Sequence, residues 1–275
     1  MPVVTTLPVL RDFVEAVGGP HIRAVSLISG FESEHTYTPK PSDIILIRKA
    51  RVLFKIGLGL EAWVAPLIQN ANRPDLPVII TSDNVPLIEE SGPHGHGDSE
   101  HHAKGNPHIW LDPDNAKIMI AHITAALISA DPAHASDYRE NAAAYLSRLS
   151  ALEKTLLEKV GRLRDKKMIT HHPAWPYFAK RFGFEIKGHI LTQIGSEPSA
   201  KKMRALIRLI RTENIKVVVS EPQLNPKIPE ILSEETDVTV VPLSPLPGAL
   251  PGTAHYLDLI RYNVESLVQA FERAK

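Results

Sequence analysis

Histidines are concentrated in one irregular stretch of this chain, GPHGHGDSEHHAKGNPHIW at residues 92–110. Glycine, proline and acidic residues separate the imidazoles, so no helical or strand period organises them. Imidazole nitrogen is a strong ligand for zinc and other transition metals. The stretch therefore indicates either a loop with incidental metal affinity or part of a metal site. Its histidines are His94, His96, His101, His102 and His108.

The composition narrows the chemistry that is open to the chain. It has 275 residues, 13 histidines and no cysteine, which excludes disulfides, thiolate zinc sites and cysteine nucleophiles. Histidine and carboxylate remain as the strong metal ligands. Basic and acidic residues number 31 each, and this balance gives no electrostatic reason to expect nucleic acid or DNA as a partner.

Further histidines and carboxylates follow predicted strands. Ligands of open parallel sheets bind beyond the carboxyl ends of the strands, and the residues at such places are Glu34 and His35 after AVSLI, His171 and His172 after KMIT, and Glu221 after KVVVS. A single loop histidine is usually exposed and binds nothing. However, three histidines are predicted to lie where two lobes would face each other. They are His35, His108 and one of His171 and His172. Three imidazoles and one oxygen make a normal zinc shell.

The elements that carry these residues alternate between strand and helix. Short β-branched runs at residues 3–6, 24–28, 52–56 and 78–81 are separated by helical stretches, including LEAWVAPLIQNA at residues 60–71. A second series of strands is predicted at residues 167–170, 184–190, 216–220 and 238–243. This alternation predicts parallel sheets covered by helices on both faces. We therefore expect an α/β protein with two lobes of four strands each.

One long helix is predicted between the two series of strands, from Ser136 to about Leu163, because apolar residues recur there every three or four positions without proline. It would span about 40 Å and could join the lobes; a coiled-coil arm is a weaker alternative. The predicted domains are an N-terminal lobe at 1–133 with a histidine-rich loop at 92–106, the connecting helix at 134–164, and a C-terminal lobe at 165–275.

Several motifs resemble, in order and across essentially the whole chain, the zinc and manganese solute-binding proteins of ABC transporters. They are SEHTYTPKPSD, NPHIWLDP, THHPAWPYFAKRFG, SEPQLNP and YLDLIRYNVESLVQAF. The resemblance implies two pseudo-symmetric lobes, each a mainly parallel four-stranded sheet with helices on both faces, joined by one long helix with the metal between them. It also implies extracytoplasmic capture of a divalent metal without catalysis.

The resemblance places the first metal histidine at His35 and the second at His108. The third is His172, because HPAW fits the family's pattern of histidine, any residue, alanine and an aromatic residue. Manganese members tend to replace a histidine with a carboxylate, so three histidines favour Zn²⁺ over Mn²⁺.

The fourth ligand departs from many relatives of the family. Ser244, in PLSPLPGALPG, stands where a late aspartate often completes the site. Some zinc-type members use a glutamate directly before the first histidine, and Glu34 occupies that position. We expect Glu34 or a water as the fourth ligand, Glu221 as a remoter candidate, and Ser244 as an unfavourable one.

The remaining histidines of the opening stretch are interpreted separately. Zinc members of the family often carry a histidine-rich loop at this place, and His94, His96, His101 and His102 are predicted to form an auxiliary low-affinity metal site. An insertion with incidental metal affinity is the alternative. In either case the cluster divides at Asn106, and only His108 belongs to the main site.

Three other functions share parts of this pattern. A zinc hydrolase could use Glu34 or Glu221 as its base, but the sequence contains no HExxH motif. A manganese-binding protein and a metal-dependent adhesin belong to the same group of binding proteins.

The expected location and partners follow from the resemblance. The N-terminus does not read as a signal peptide and no apolar run reaches the ~20 residues of a membrane span. Read literally this predicts cytoplasm, but a chain that starts at its mature N-terminus would look the same, and the resemblance implies a periplasmic or extracytoplasmic location. The expected partners are a membrane permease and a metallochaperone, and the expected state is a monomer.

Overall fold

A computed structural model describes residues 1–88, 105–192, 194–195 and 197–274. The chain divides into two compact units, an N-terminal unit at Met1–Leu149 and a C-terminal unit at Ser150–Lys275. Each unit contains its own sheet. His94, His96, His101 and His102 lie outside the described residues, so the auxiliary site stays a prediction.

The N-terminal unit contains one four-stranded sheet. Its strands are β1 (Pro2–Thr5), β2 (Arg23–Ser26), β3 (Val52–Lys55) and β4 (Val78–Ile80), in the order β2-β1-β3-β4 and all parallel. Its helices are α1 (Pro8–Gly18), α2 (Pro41–Lys49), α3 (Val64–Asn70) and α4 (Pro113–Ala130). A short 3-10 helix, Ile109–Leu111, precedes α4.

The C-terminal unit repeats this topology. Its strands are β5 (Lys167–Thr170), β6 (Glu185–His189), β7 (Val217–Ser220) and β8 (Thr239–Pro242), in the order β6-β5-β7-β8 and again parallel. Its helices are α6 (Pro176–Phe182), α7 (Ala200–Glu213), α8 (Lys227–Thr236) and α9 (Tyr256–Arg273). The prediction of an α/β fold with two four-stranded sheets is confirmed.

The central strands form where the sequence predicts because they are apolar on both faces. In β7, Val217, Val218 and Val219 are all fully buried, as expected for a parallel strand covered by helices on either side. The N-terminal unit has an equivalent core in which Phe54 of β3 and Phe13 of α1 are fully buried. These cores fix the carboxyl ends of the strands, from which the functional loops emerge.

The long helix is present as α5, Ala135–Gly161. Its fully buried residues include Tyr138, Leu149 and Leu156, which belong to the predicted apolar stripe. The boundary between the two compact units falls within α5, after Leu149. The finer assignment of residues 134–164 as a separate connecting segment stays a prediction.

The helix expected at residues 60–71 starts later, at Val64. Before it the chain turns sharply, with positive φ at Gly57, Leu58 and Gly59. Buried Glu61 stabilises this turn, because its carboxylate accepts the backbone N–H groups of Ile56 at 2.7 Å and Gly57 at 2.9 Å. Burial raises the pKa of Glu61. The hydroxyl of Thr6, 55 residues away, also donates to Glu61 Oε1 at 2.8 Å. The local turn and this long-range contact together delay the start of the helix.

In the part of the chain that the structure describes, no helix combines the length and the apolarity needed to traverse a lipid bilayer.

Candidate metal centre

Glu34 and His35 lie in the loop between β2 and α2. The loop is fastened to the first turn of α2, because Asp43 accepts the Tyr37 hydroxyl and the backbone N–H of Lys40, both at 2.7 Å. Glu34 is 2% exposed, whereas 28% of the His35 side-chain surface remains accessible. The loop thus presents one buried carboxylate and one accessible imidazole.

His108 is oriented by its neighbour Asn106. The Asn106 oxygen Oδ1 accepts the backbone N–H of His108 at 3.0 Å, and ring nitrogen Nδ1 of His108 lies 2.9 Å from the same oxygen. A carbonyl oxygen can only accept, so Nδ1 carries the proton and Nε2 of the neutral ring carries the lone pair. The ring is 2% exposed, so this lone pair has a fixed direction in a buried setting.

Three donor atoms converge in the N-terminal unit. His108 Nε2 lies 3.1 Å from His35 Nε2 and 3.3 Å from Glu34 Oε1, and His35 Nε2 lies 3.9 Å from the same oxygen. Within the described residues, Glu34 Oε1 has no hydrogen-bond partner. Ligands around a tetrahedral zinc ion are about 3.3 Å apart, given bonds of about 2.0 Å. The arrangement therefore fits a metal cation.

His172 is oriented by a carboxylate in the C-terminal unit. Its Nδ1 lies 2.8 Å from Glu221 Oε1 and 2.7 Å from Oε2, and Glu221 Oε1 also accepts the indole N–H of Trp175 at 3.2 Å. Burial alone would raise the pKa of Glu221, but His172 and these hydrogen bonds outweigh burial and lower it. The ionised carboxylate holds the proton on Nδ1 and leaves the Nε2 lone pair for another group.

His171 has the opposite proton arrangement to its neighbour. The backbone N–H of Glu221 donates to His171 Nδ1 at 3.2 Å, so the proton of the neutral ring lies on Nε2. That nitrogen is buried and has no hydrogen-bond partner among the described residues. Burial lowers the pKa of His171 to about 4. At neutral pH the ring is uncharged, and neither nitrogen offers a lone pair to an ion.

Ser244 is fully buried, and its hydroxyl is saturated by protein groups. It donates to the carbonyl of Leu246 at 2.8 Å and accepts from Gln223 Nε2 at 3.0 Å and from the backbone N–H of Leu246 at 3.1 Å. A hydroxyl has one proton and two acceptor sites. All three are used by groups of the protein, so the hydroxyl has no further site to offer.

The predicted residues are thus grouped within each unit. Glu34, His35 and His108 come together in the first, and each offers a ligand atom within 4.8 Å of the others. His172 and Glu221 come together in the second. The sequence did not reveal that Asn106 and Trp175 support these groups, and Trp175 was interpreted only as wall or core. The Asn-Pro-His order was the one available signal for Asn106.

Comparison with known proteins is consistent with a metal-binding role. The high-affinity zinc uptake system protein ZnuA of Brucella abortus is 31% identical over 96% of this chain and 90% of its own length. The iron-binding protein YfeA of Yersinia pestis is 30% identical over 98% of this chain and 86% of its own length. Relatives of similar identity therefore carry names for different metals.

Solved structures show the same fold. A crystal structure of ZnuA has a TM-score of 0.88 at 27% identity and covers 98% of this chain and 99% of that one. A mutant laminin-binding adhesin from Streptococcus agalactiae has a TM-score of 0.85 at 27% identity, with coverage of 98% and 99%.

A family match covers residues 3–270 and is described as zinc-uptake complex component A, periplasmic. That description is of a metal-binding transport component, which confirms the prediction that the chain is not an enzyme and removes the zinc hydrolase alternative. The chain belongs to the family of periplasmic A components of zinc-uptake complexes.

Proposed function

We propose that this protein captures a zinc ion with His35, His108, His172 and the carboxylate of Glu34, and that it delivers the ion to a membrane permease. The single observation that carries the proposal is the convergence of Glu34 Oε1 with two Nε2 atoms in the N-terminal unit. A buried carboxylate oxygen without a hydrogen bond is costly. A divalent ion bound between this oxygen and the two ring nitrogens would compensate that cost.

His172 is the proposed third imidazole rather than His171. The contact with Glu221 places the lone pair of His172 on Nε2, whereas the ring of His171 has its Nδ1 lone pair occupied by a backbone N–H. Glu221 then orients a ligand instead of binding the ion itself. A carboxylate behind a metal-bound imidazole is a recurrent arrangement at zinc sites.

The donor set favours zinc over manganese. Three neutral imidazoles and one carboxylate suit zinc, whereas manganese prefers oxygen-rich sites. Binding requires deprotonated imidazoles, so zinc affinity should rise as pH increases through the histidine range and fall on acidification. The iron-binding name of one relative makes Fe²⁺ the necessary competitor in any test.

Isothermal titration of the metal-free protein with Zn²⁺, Mn²⁺ and Fe²⁺ tests the assignment. His35→Ala, His108→Ala and His172→Ala should each weaken zinc binding by on the order of a thousandfold. His122→Ala is the matched control, since His122 is a half-buried histidine of α4 whose Nδ1 lies 3.2 Å from the carbonyl of Thr81. Unchanged zinc affinity in the three test variants would refute the site, and tighter manganese or iron binding would refute the metal.

The histidine-rich loop is proposed to collect zinc at low affinity through His94, His96, His101 and His102. Deletion of residues 93–104 should lower the total zinc stoichiometry and leave the tight site intact, because His108 lies beyond the deleted segment. Loss of the tight site would show that the cluster does not divide at Asn106.

Location and partners are proposed by analogy with the family. We infer an extracytoplasmic monomer that passes zinc to an ABC-transporter permease, with a metallochaperone as a second partner. Zinc uptake by cells that lack the gene should be restored by the wild-type protein and not by His108→Ala. An adhesin role is the rival, favoured by the similarity to the laminin-binding protein. Zinc-dependent binding of the purified protein to immobilised laminin would support that rival.

A further inference from the structure

Helix α7 carries a row of basic residues on its outer face. Its sequence AKKMRALIRLIRTE contains five basic residues and one acidic residue, although the chain as a whole has no net charge. Lys201, Arg204, Arg208 and Arg211 are all exposed. They recur at intervals of three, four and three residues, which places them along one side of the helix over about 15 Å. We call these four residues the basic stripe.

The stripe is not needed to hold α7 in place. The opposite face of the helix packs into the core of the C-terminal unit through Leu206 and Ile210, which are nearly fully buried. Within the described residues, Lys201, Arg204 and Arg208 form no ion pair, and only Arg211 bonds to the protein, where its Nη2 donates to the Glu235 carbonyl at 2.7 Å. Three like charges are therefore directed to solvent without compensation.

The neighbouring helix α8 has the opposite charge. It contains Glu230, Glu234 and Glu235, all exposed, and Ile231 is an exposed apolar residue at 43%. The two helices are adjacent, because Arg211 bonds to Glu235 and Leu206 and Leu232 share one core cluster. The basic surface is thus about one helix wide and is bordered by carboxylates on one side.

We propose that the basic stripe of α7 binds an acidic protein segment, a single helix or extended strand that carries a row of carboxylates. A flat anionic membrane fits less well, because the carboxylates of α8 would face the same lipid headgroups and be repelled. A narrow acidic segment meets the arginines alone, and α8 excludes it from the wrong register through like-charge repulsion. This inference does not rest on the proposed zinc function.

The test uses a fluorescein-labelled synthetic helical peptide whose glutamates are spaced at intervals of three, four and three residues, as in the basic stripe. Its binding to the full chain is measured by fluorescence anisotropy. The double variant Arg204→Glu with Arg208→Glu should weaken binding by on the order of tenfold or more, and added salt should weaken binding to the wild type. The control is Lys49→Glu with Arg51→Glu, two exposed residues of the N-terminal unit. It changes the net charge equally and should bind the peptide as the wild type does.

Three results would overturn the proposal. The first is equal binding of the peptide by the wild type and the Arg204/Arg208 variant, and the second is an equal loss in the control, which would indicate general charge attraction. The third is binding to phosphatidylglycerol vesicles that depends on Arg204 and Arg208 while the peptide is not bound, since this would assign the stripe to membranes. Urea unfolding curves equal to that of the wild type verify that both variants fold, whatever the outcome for the peptide.

Discussion

The two units each bury one carboxylate beside histidine, but they satisfy it differently. In the N-terminal unit Glu34 faces two Nε2 atoms, and its Oε1 has no hydrogen bond within the described residues. In the C-terminal unit Glu221 receives donors from His172 and Trp175 on its Oε1, while its Oε2 has no hydrogen bond within the described residues. Burial is costly for a carboxylate that lacks donors and tolerable for one that has several. Each carboxylate thus leaves one oxygen unpaired in the part of the chain that the structure describes, and the two differ in the donors that reach the other groups of the site. We therefore expect a cation to stabilise the first unit more than the second.

Of these two buried carboxylates, the larger effect on zinc affinity is expected at Glu34. Glu34→Gln removes the anionic donor, so zinc affinity should fall by roughly a hundredfold or more. The same change relieves a buried, unsatisfied charge, so the free energy of unfolding of the metal-free protein should rise by about 1 kcal/mol. Titration calorimetry measures the expected fall in zinc affinity, and urea unfolding measures the expected rise in the free energy of unfolding. A loss of stability would contradict the contrast between the units.

Glu221 should show the opposite behaviour in stability. Glu221→Ala leaves the N–H donors of His172 and Trp175 unpaired in a buried site, which should lower the free energy of unfolding by about 3 kcal/mol. Zinc affinity should also fall, by about 10- to 100-fold, because His172 loses its orientation. Glu221→Gln retains a hydrogen-bond acceptor and serves as the control. It should lose less zinc affinity and less free energy of unfolding than the alanine variant. Stability equal to that of the wild type in the alanine variant would be the contrary result.

The surroundings of His172 also predict a pH dependence of stability. Burial lowers the pKa of His189 from 6.5 to about 4, and the positive charge of Lys202 adds to this. The unfolded chain therefore takes up the proton first as pH falls, and stability is lost between pH 6.5 and pH 4. His189→Asn should remove about 3 kcal/mol of this loss in the metal-free protein. Unfolding curves across that pH range measure it.

His171 limits the size of that change. Its pKa is also lowered to about 4, so part of the pH dependence should persist in His189→Asn. If the free energy of unfolding of His189→Asn depends on pH as steeply as that of the wild type, His189 is not the responsible group.

The smallest effect is expected at Asn106. Asn106→Ala removes the neutral acceptor that orients His108, and zinc affinity should fall by about tenfold. Asn106→Asp gives His108 a carboxylate partner like that of His172 and should restore affinity. Competition with a fluorescent zinc chelator is sensitive enough to separate the variants. If both substitutions weaken zinc binding equally, Asn106 does not act by orienting the His108 ring through a hydrogen-bond acceptor.

Local patterns predicted the strands well and the helix starts less well. The residues of β5 were predicted without error, and those of β7 to within one residue, because buried β-branched runs are read directly from sequence. The start of α3 was misjudged because it depends on Glu61 and its contacts with Ile56 and Gly57. Glu61 is also held by the hydroxyl of Thr6, 55 residues away, and a local sequence pattern does not reveal such a contact.

Motif context predicted His35, His108 and His172 as the metal histidines, and this assignment stays a prediction. The sequence did not reveal the groups that support their rings. The link from His172 to Glu221 spans 49 residues, and no spacing rule identifies such a pair. The proton positions that distinguish His171 from His172 also require coordinates, since they depend on which backbone or side-chain group contacts each ring.

Although the two sheets share one strand order, the functional loops leave from different strands. In the N-terminal unit Glu34 and His35 follow β2, and His108 follows β4, which are the two edge strands; in the C-terminal unit His172 and Glu221 follow the central strands β5 and β7. An edge strand is bonded on one side only and opens locally at lower free energy than a central one. We therefore expect the strands that precede the functional loops to open more readily in the first unit than in the second. Amide hydrogen exchange should accordingly be faster at β2 and β4 than at β5 and β7.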